Sequence, residues 1–134
     1  MGNSMSLSFD GLDELLKRFE GQLDMLQPAA GKALEAAHGV VTPKLASAIA
    51  SHRRTGRTAA SLWGYPLIEW QGSTLASVRV GFSISGGGLA SVFLMYGTPR
   101  IAPDRTLYNA LWGTNTMHAV EQAEAEAFYE ELGL

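Results

Sequence analysis

Six apolar residues, Leu12, Leu15, Leu16, Phe19, Leu23 and Leu26, recur at the i, i+3, i+4, i+7 spacing that gathers them on one helical face. Asp10 reads as the N-cap of this helix, with Asp13 and Glu14 in its positive first turn. Pro28 is expected to end it near Leu26, because proline has no N–H to donate and biases Gln27 away from helical geometry. An alanine-rich run from Ala29 predicts a second helix with Ala33, Leu34, Ala37, Val40, Val41, Leu45, Ala48 and Ile49 turned inward. Pro43 falls inside that run. The reading preferred here is one kinked helix ending near His52, over a fresh helix capped by Thr42 with Pro43 at its first position.

The pattern changes at Leu62. Aromatic and branched residues from Leu62 to Trp70 predict a strand, at an edge or broken because of Pro66, and Gln71-Gly72-Ser73 reads as a turn. Val78, Val80, Phe82 and Ile84 alternate with Ser77, Arg79, Gly81, Ser83 and Ser85, the period of a strand with one buried face. Gly86-Gly87-Gly88 then reads as a flexible connection. Leu89–Tyr96 is a continuous apolar run that fits strand or helix. Residues 97–105, with two prolines, are expected to form a mobile loop, and Asp104 or Thr106 to cap a short helix carrying Leu107, Leu111 and Trp112. A last, acidic helix over 116–132 carries Glu121, Glu124, Glu126, Glu130 and Glu131 with no Lys or Arg. Residues 1–8 are expected to be flexible, Met1–Ser6 being small and polar like a frayed end or an expression scar.

Composition narrows the picture in three ways. The 134 residues fit one domain, 1–134, and 46% hydrophobic with 17% charged residues argues for a folded core. A net charge of −3 removes an overall electrostatic case for binding nucleic acid, leaving only local basic patches. The absence of cysteine excludes disulfides, thiolate metal sites and cysteine nucleophiles. The N-terminus lacks a basic stretch followed by an apolar run, and no segment approaches the roughly 20 apolar residues that span a bilayer. A cytoplasmic address is therefore the expectation, with no membrane partner.

Catalytic constellations are not legible. His38, His52 and His118 stand in no metal-ligand spacing and read as ordinary surface or half-buried histidines. No Gly-x-Ser-x-Gly elbow occurs, and Ser83-Ile84-Ser85 reads as a strand and hairpin feature. The glycine run is not followed by Gly-Lys-Ser/Thr, and no helix is expected to open there, which argues against a phosphate cradle. The expectation is a protein that is not an enzyme, with no cofactor and no metal. The basic turn Arg53-Arg54-Thr55-Gly56-Arg57 first reads as a helix stop. Its cations complement the negative helix end by roughly 0.3–1 kcal/mol each, and Gly56 suits a left-handed cap. Partner contact is a second use for Arg53, Arg54 and Arg57, as it is for Arg100 and Arg105. The acidic helix, through Glu121, Glu124 and Glu130, would complement a basic subunit surface.

Taken in order, these pieces resemble a family. A Gly11-Leu12-Asp13-Glu14-Leu15-Leu16-Lys17-Arg18-Phe19 helix and an alanine-rich helix precede Arg54-Thr55-Gly56-Arg57 with Ser61. A strand pair then leads to Phe93-Leu94-Met95-Tyr96-Gly97-Thr98 and on to Ala102-Pro103. The order is similar to that of the gene-product-ten-like phage morphogenesis family: the neck, head–tail joining or tail-completion proteins of long non-contractile-tailed phages. The resemblance covers roughly residues 7–112. The family commonly has Glu where this chain has Met95. It continues its second loop as Pro-Phe-Leu-Arg-Pro-Ala, where this chain reads Pro103-Asp104-Arg105-Thr106-Leu107-Tyr108-Asn109-Ala110.

The resemblance implies an α+β subunit of a ring, often hexameric, between head portal and tail. Its partners would be copies of itself and neighbouring head-connector and tail proteins, and DNA would pass through the channel unread. The implied address is the virion head–tail interface, reached by assembly in the bacterial host cytoplasm. Combined with the residue pattern, the expected fold is N-terminal helices, one long and kinked, packed on a small antiparallel sheet with a C-terminal helix. Gly56, Gly97 and Thr98 are the expected structural turns. A tail terminator or minor tail protein is the alternative within this class, and a small soluble protein-binding adaptor the alternative outside it. If the basic turn and the acidic helix are opposite faces of one subunit contact, reversing Arg53, Arg54 and Arg57 to Glu abolishes assembly. Unchanged oligomer mass in light scattering would sink that pairing.

Overall fold

Alternation of Ser4, Ser6 and Ser8 with Met5, Leu7 and Phe9 makes the N-terminal segment a strand, β1 (Ser4–Phe9), with its apolar set turned to the core. The computed structural model describes residues 2–9, 11–18, 22–52 and 56–133. After β1 come α1 (Leu12–Arg18), α2 (Leu23–Ala50) and the single turn α3 (Arg57–Ala60). Strands β2 (Ile68–Gln71) and β3 (Leu75–Gly81) follow, then α4 (Leu89–Tyr96), α5 (Arg105–Trp112) and α6 (Thr114–Glu131). The architecture is the expected α+β arrangement.

The sheet has the order β1-β3-β2 and is antiparallel throughout, so β3 is central and buries Ala76, Val78 and Val80. Met5 faces Val80, Leu7 faces Val78 and Phe9 faces Ala76 across the ladder. The expectation of a flexible 1–8 is corrected for the described residues 2–8, Met1 lying outside them. The terminus is held from three sides: Phe82 N–H donates to Asn3 O, while Asn3 Nδ2 donates to Ser91 Oγ at 3.0 Å and to Gly88 O at 3.3 Å. Gly2 O accepts from the Tyr96 hydroxyl and the Trp112 indole. Asn3 is buried, and these bonds satisfy it there.

The first expected helix does not run to Leu26. It divides into α1 and the start of α2, with Asp10 and Phe19 lying outside the described residues. Pro28 does not end a helix either, because α2 continues through both Pro28 and Pro43 for 28 residues and is bent. Pro28 stands little more than a turn inside the helix, where it forfeits one bond to Asp24 O. A proline in a helix interior costs about 3 kcal/mol. Around it α2 buries Leu26, Ala29, Ala30, Ala33 and Leu34, and each large apolar side chain buried contributes about 1.5–3 kcal/mol. Packing outweighs propensity here.

Leu34, Ala37, Val41, Leu45 and Ile49 of α2 share one core cluster with β3, Leu107 and Leu111 of α5 and Val120 of α6. Leu26, Ala29, Ala30 and Ala33 form a second cluster with Leu12 of α1 and Phe128 of α6. Helix α6 therefore lies antiparallel along α2, its Phe128 end beside the N-terminal half of α2.

Further expectations change, or are resolved, around β3. The strand stops at Gly81, Phe82 makes only a bridge to Leu62, and Ile84 is 53% exposed, not on the buried face. Residues Ile84–Gly88 form a kinked wide turn that opens directly into α4, so the glycine run is part of a helix entry. Gly88 is required there by close approach: a Cβ would lie 2.6 Å from Ser61 Oγ and 2.7 Å from Ser83 O. Leu89–Tyr96 is helix, and Met95, where the resembled family has Glu, is fully buried. The expected strand from Leu62 shrinks to Ile68–Gln71, while the turn at Gly72 is where it was expected.

Replacing Ala33 by Leu forces extra volume between α2 and Phe128 and is expected to cost about 1–3 kcal/mol in urea unfolding. An unchanged midpoint would show that the two helices are not close-packed at this point.

Candidate functional site

Asp104 is the N-cap of α5, its Oδ1 accepting from Leu107 N at 3.1 Å. Its other oxygen lies 2.5 Å from His52 Nε2, just past the C-terminal end of α2. The hydrogen bond from His52 holds the Asp104 carboxyl below its usual value of 3.8; partial burial opposes this, and the backbone N–H groups of Leu107 and Thr106 add to it. The pair ties the loop before α5 to the end of α2. Beside it opens a cleft of 980 Å³ between α2 and the α5–α6 junction, lined by Lys44, Ser47, Ser51, Thr106, Asn109 and Asn115 among others. Ser51 Oγ there is committed to Ala48 O at 2.9 Å. Among the described residues, no group of three or more His, Asp or Glu side chains is placed to hold a metal ion.

His38 departs from the expected surface or half-buried histidine. It is buried in α2, its Nε2 donates to Trp63 O at 2.7 Å, and the Thr42 hydroxyl lies 3.3 Å from Nδ1. The ring therefore pins the Trp63 segment to α2, a structural role.

The expected contact residues fall into separate places. Arg53 and Arg54 lie outside the described residues. Arg57 opens α3 and runs alongside Gly87, whose added Cβ would be 3.4 Å from Arg57 Nε. Gly56 is left-handed, with φ 82°, but it opens α3 and does not close α2, whose C-cap is Ser51. Gly97, with φ 78°, ends α4, and Thr98 holds the next turn. In that turn Thr98 N donates to Ile101 O at 2.8 Å, and Thr98 Oγ1 accepts from the N–H groups of Arg100 and Ile101. Arg100 and Arg105 are exposed on either side of Ile101, the second as the first residue of α5.

Glu121 and Glu124 come together on α6 at the rim of an apolar groove of 270 Å³. Its walls are Phe9, Leu15, Phe128 and Tyr129, with Phe9 and Phe128 stacked 4.8 Å apart. Glu130 is exposed elsewhere on the same helix.

Exposed apolar side chains are the feature that residue typing missed. Tyr65 is 80% and Leu67 65% exposed, with Trp63, Trp70 and Leu75 partly exposed near the β2 edge. Leu89 and Phe93, one turn apart on α4, form another exposed strip with Ile84. The signal was present in the run of apolar letters, but only folding shows which of them lack a covering element. Among the described residues, no helix is long and apolar enough to cross a membrane. No protein-family model, curated protein or solved structure matches the chain.

Asp104→Ala is expected to cost about 0.5–2 kcal/mol by removing the α5 cap. Because the folded carboxyl is held low, its contribution is present above 3.8 and is lost as pH falls through the folded value. Asp104→Asn keeps a cap but carries no charge, so its stability should decline less steeply on acidification. Equal acid slopes for Asp104→Asn and the unaltered protein in urea titrations would show that the His52–Asp104 pair does not contribute.

Proposed function

We propose that this chain is a structural subunit of the head–tail interface of a long non-contractile-tailed phage or prophage, a connector or tail-completion part that assembles into a ring. The observation that carries this reading beyond its motif order is the uncovered apolar surface. A domain of 134 residues leaves Tyr65, Leu67, Ile84, Leu89, Phe93 and Ile101 substantially exposed in separate places. Apolar patches on several sides suit a subunit with neighbours on several sides. They are costly for a freely diffusing adaptor, which needs a single docking face.

The motifs of the resemblance sit at hinges of the fold. Gly11 leads into α1, Gly56 opens α3, and Gly97-Thr98 turns the chain from α4 towards α5. These are positions where backbone geometry, more than chemistry, constrains the residue. In this reading the partners are further copies of the chain and the adjoining head-connector and tail proteins. DNA passes through the channel without base readout. The protein assembles in the host cytoplasm and ends at the virion head–tail interface.

Purified chain examined by light scattering over rising concentration, with negative-stain electron microscopy, is expected to show closed rings of one size. A monomer or dimer that persists at high concentration and shows no rings would favour the adaptor reading instead.

A further inference from the structure

The groove beside Glu121 and Glu124 and the Thr98–Arg105 turn lie at opposite ends of the long helix. Groove residue Phe128 packs with Leu26, Ala29 and Ala30 near the start of α2, whereas Asp104 in the turn is bonded to His52 past its end. A helix of 28 residues spans about 42 Å at 1.5 Å per residue, so the two surfaces are on the order of 30 Å apart. One copy has no means of filling its own groove with its own turn.

Their chemistries match. The groove has aromatic walls with Glu121 and Glu124 in its lining, and the turn exposes Ile101 between Arg100 and Arg105 in the sequence, both of them exposed as well. Ile101 is 47% exposed, and among the described residues neither Arg100 nor Arg105 has a carboxylate at salt-bridge distance. Arg105 occupies the first turn of α5, where the helix dipole disfavours a cation, so its position is not explained by helix stability. The turn is also held in shape by four hydrogen bonds with Thr98 and by Gly97, where an added Cβ would lie 2.9 Å from Ile101 O. A preformed turn loses little freedom on binding. The other exposed apolar places lack such a match: Arg79, beside the β2 edge, already sits 5.5 Å over the Trp63 ring.

We infer that copies of this chain join head to tail, the Thr98–Arg105 turn of one copy seating Ile101 in the groove of the next with Arg100 and Arg105 against Glu121 and Glu124. The contact is heterologous, so each copy uses both surfaces on different neighbours, and a closing rotation generates a ring. It presupposes the ring reading above and names the surfaces that would build it.

The chain has no cysteine, which makes site-directed crosslinking clean. Ile101→Cys and Ala125→Cys single variants, mixed and mildly oxidised, are expected to give a 101–125 disulfide well in excess of either symmetric disulfide. In a second measurement, Glu121→Arg with Glu124→Arg weakens association by about tenfold or more, and adding Arg100→Glu with Arg105→Glu restores it. Oligomers without the mixed disulfide, or with symmetric disulfides dominant, would overturn this contact while leaving the ring reading standing. A mixed disulfide in open chains with no rings would keep the contact and reject the ring. A monomer with no disulfide at any concentration would reject both.

Discussion

Burial of the alanine and leucine face of α2 is the interaction on which the other elements depend. The helix is covered by the sheet on one side and by α5 and α6 on another, and it contributes to both core clusters. Small side chains at Ala29, Ala30, Ala33 and Ala37 let neighbours approach closely, and the large ones at Leu34 and Leu45 fill the space that remains. This explains why two prolines are tolerated inside it. Each removes a single backbone bond, whereas unravelling the helix would uncover the hydrophobic centre of the domain.

The second constraint is the closure of the N-terminal strand. Asn3 and Gly2 reach Gly88, Ser91, Tyr96 and Trp112, residues more than eighty positions away. The beginning of the chain thereby fastens the turn that opens α4 and the end of α5. Gly81 allows it: a Cβ there would lie 2.3 Å from Asn3 O, and its φ of 113° suits glycine alone. The Gly81 end of β3 is thus joined to the helices.

With the core committed to α2, the surfaces left over are unequal. One end of the long axis presents aromatic side chains lined by two glutamates, and the other a turn that exposes Arg100, Ile101 and Arg105. Polarity of this kind along one axis suits serial contact between copies better than symmetric pairing. The His52–Asp104 bond lies at the turn's base and fixes the N-cap of α5 relative to the end of α2. The turn's orientation is therefore tied to the core helix.

Local pattern located the inward face of the alanine-rich helix, the period-two stretch of β3 and the acidic C-terminal helix, and narrowed the α5 cap to Asp104 or Thr106, because each is a signal within one element. Met5, Leu7 and Phe9 alternate with serines much as the residues of β3 do, yet the small, polar look of the first residues leads to an expectation of flexibility where β1 forms. Other features had no local signature. Pro28 reads as a helix stop until the buried face around it is counted. Leu89–Tyr96 fits two structures until Gly88 packs against Ser61. His52 and Asp104, like Phe9 and Phe128, meet only through the fold. Sequence determined where the chain is able to be helix or strand, since that depends on neighbours a few residues apart. Tertiary structure decided which apolar residues are covered and which charges face one another, since both depend on residues far apart in the chain.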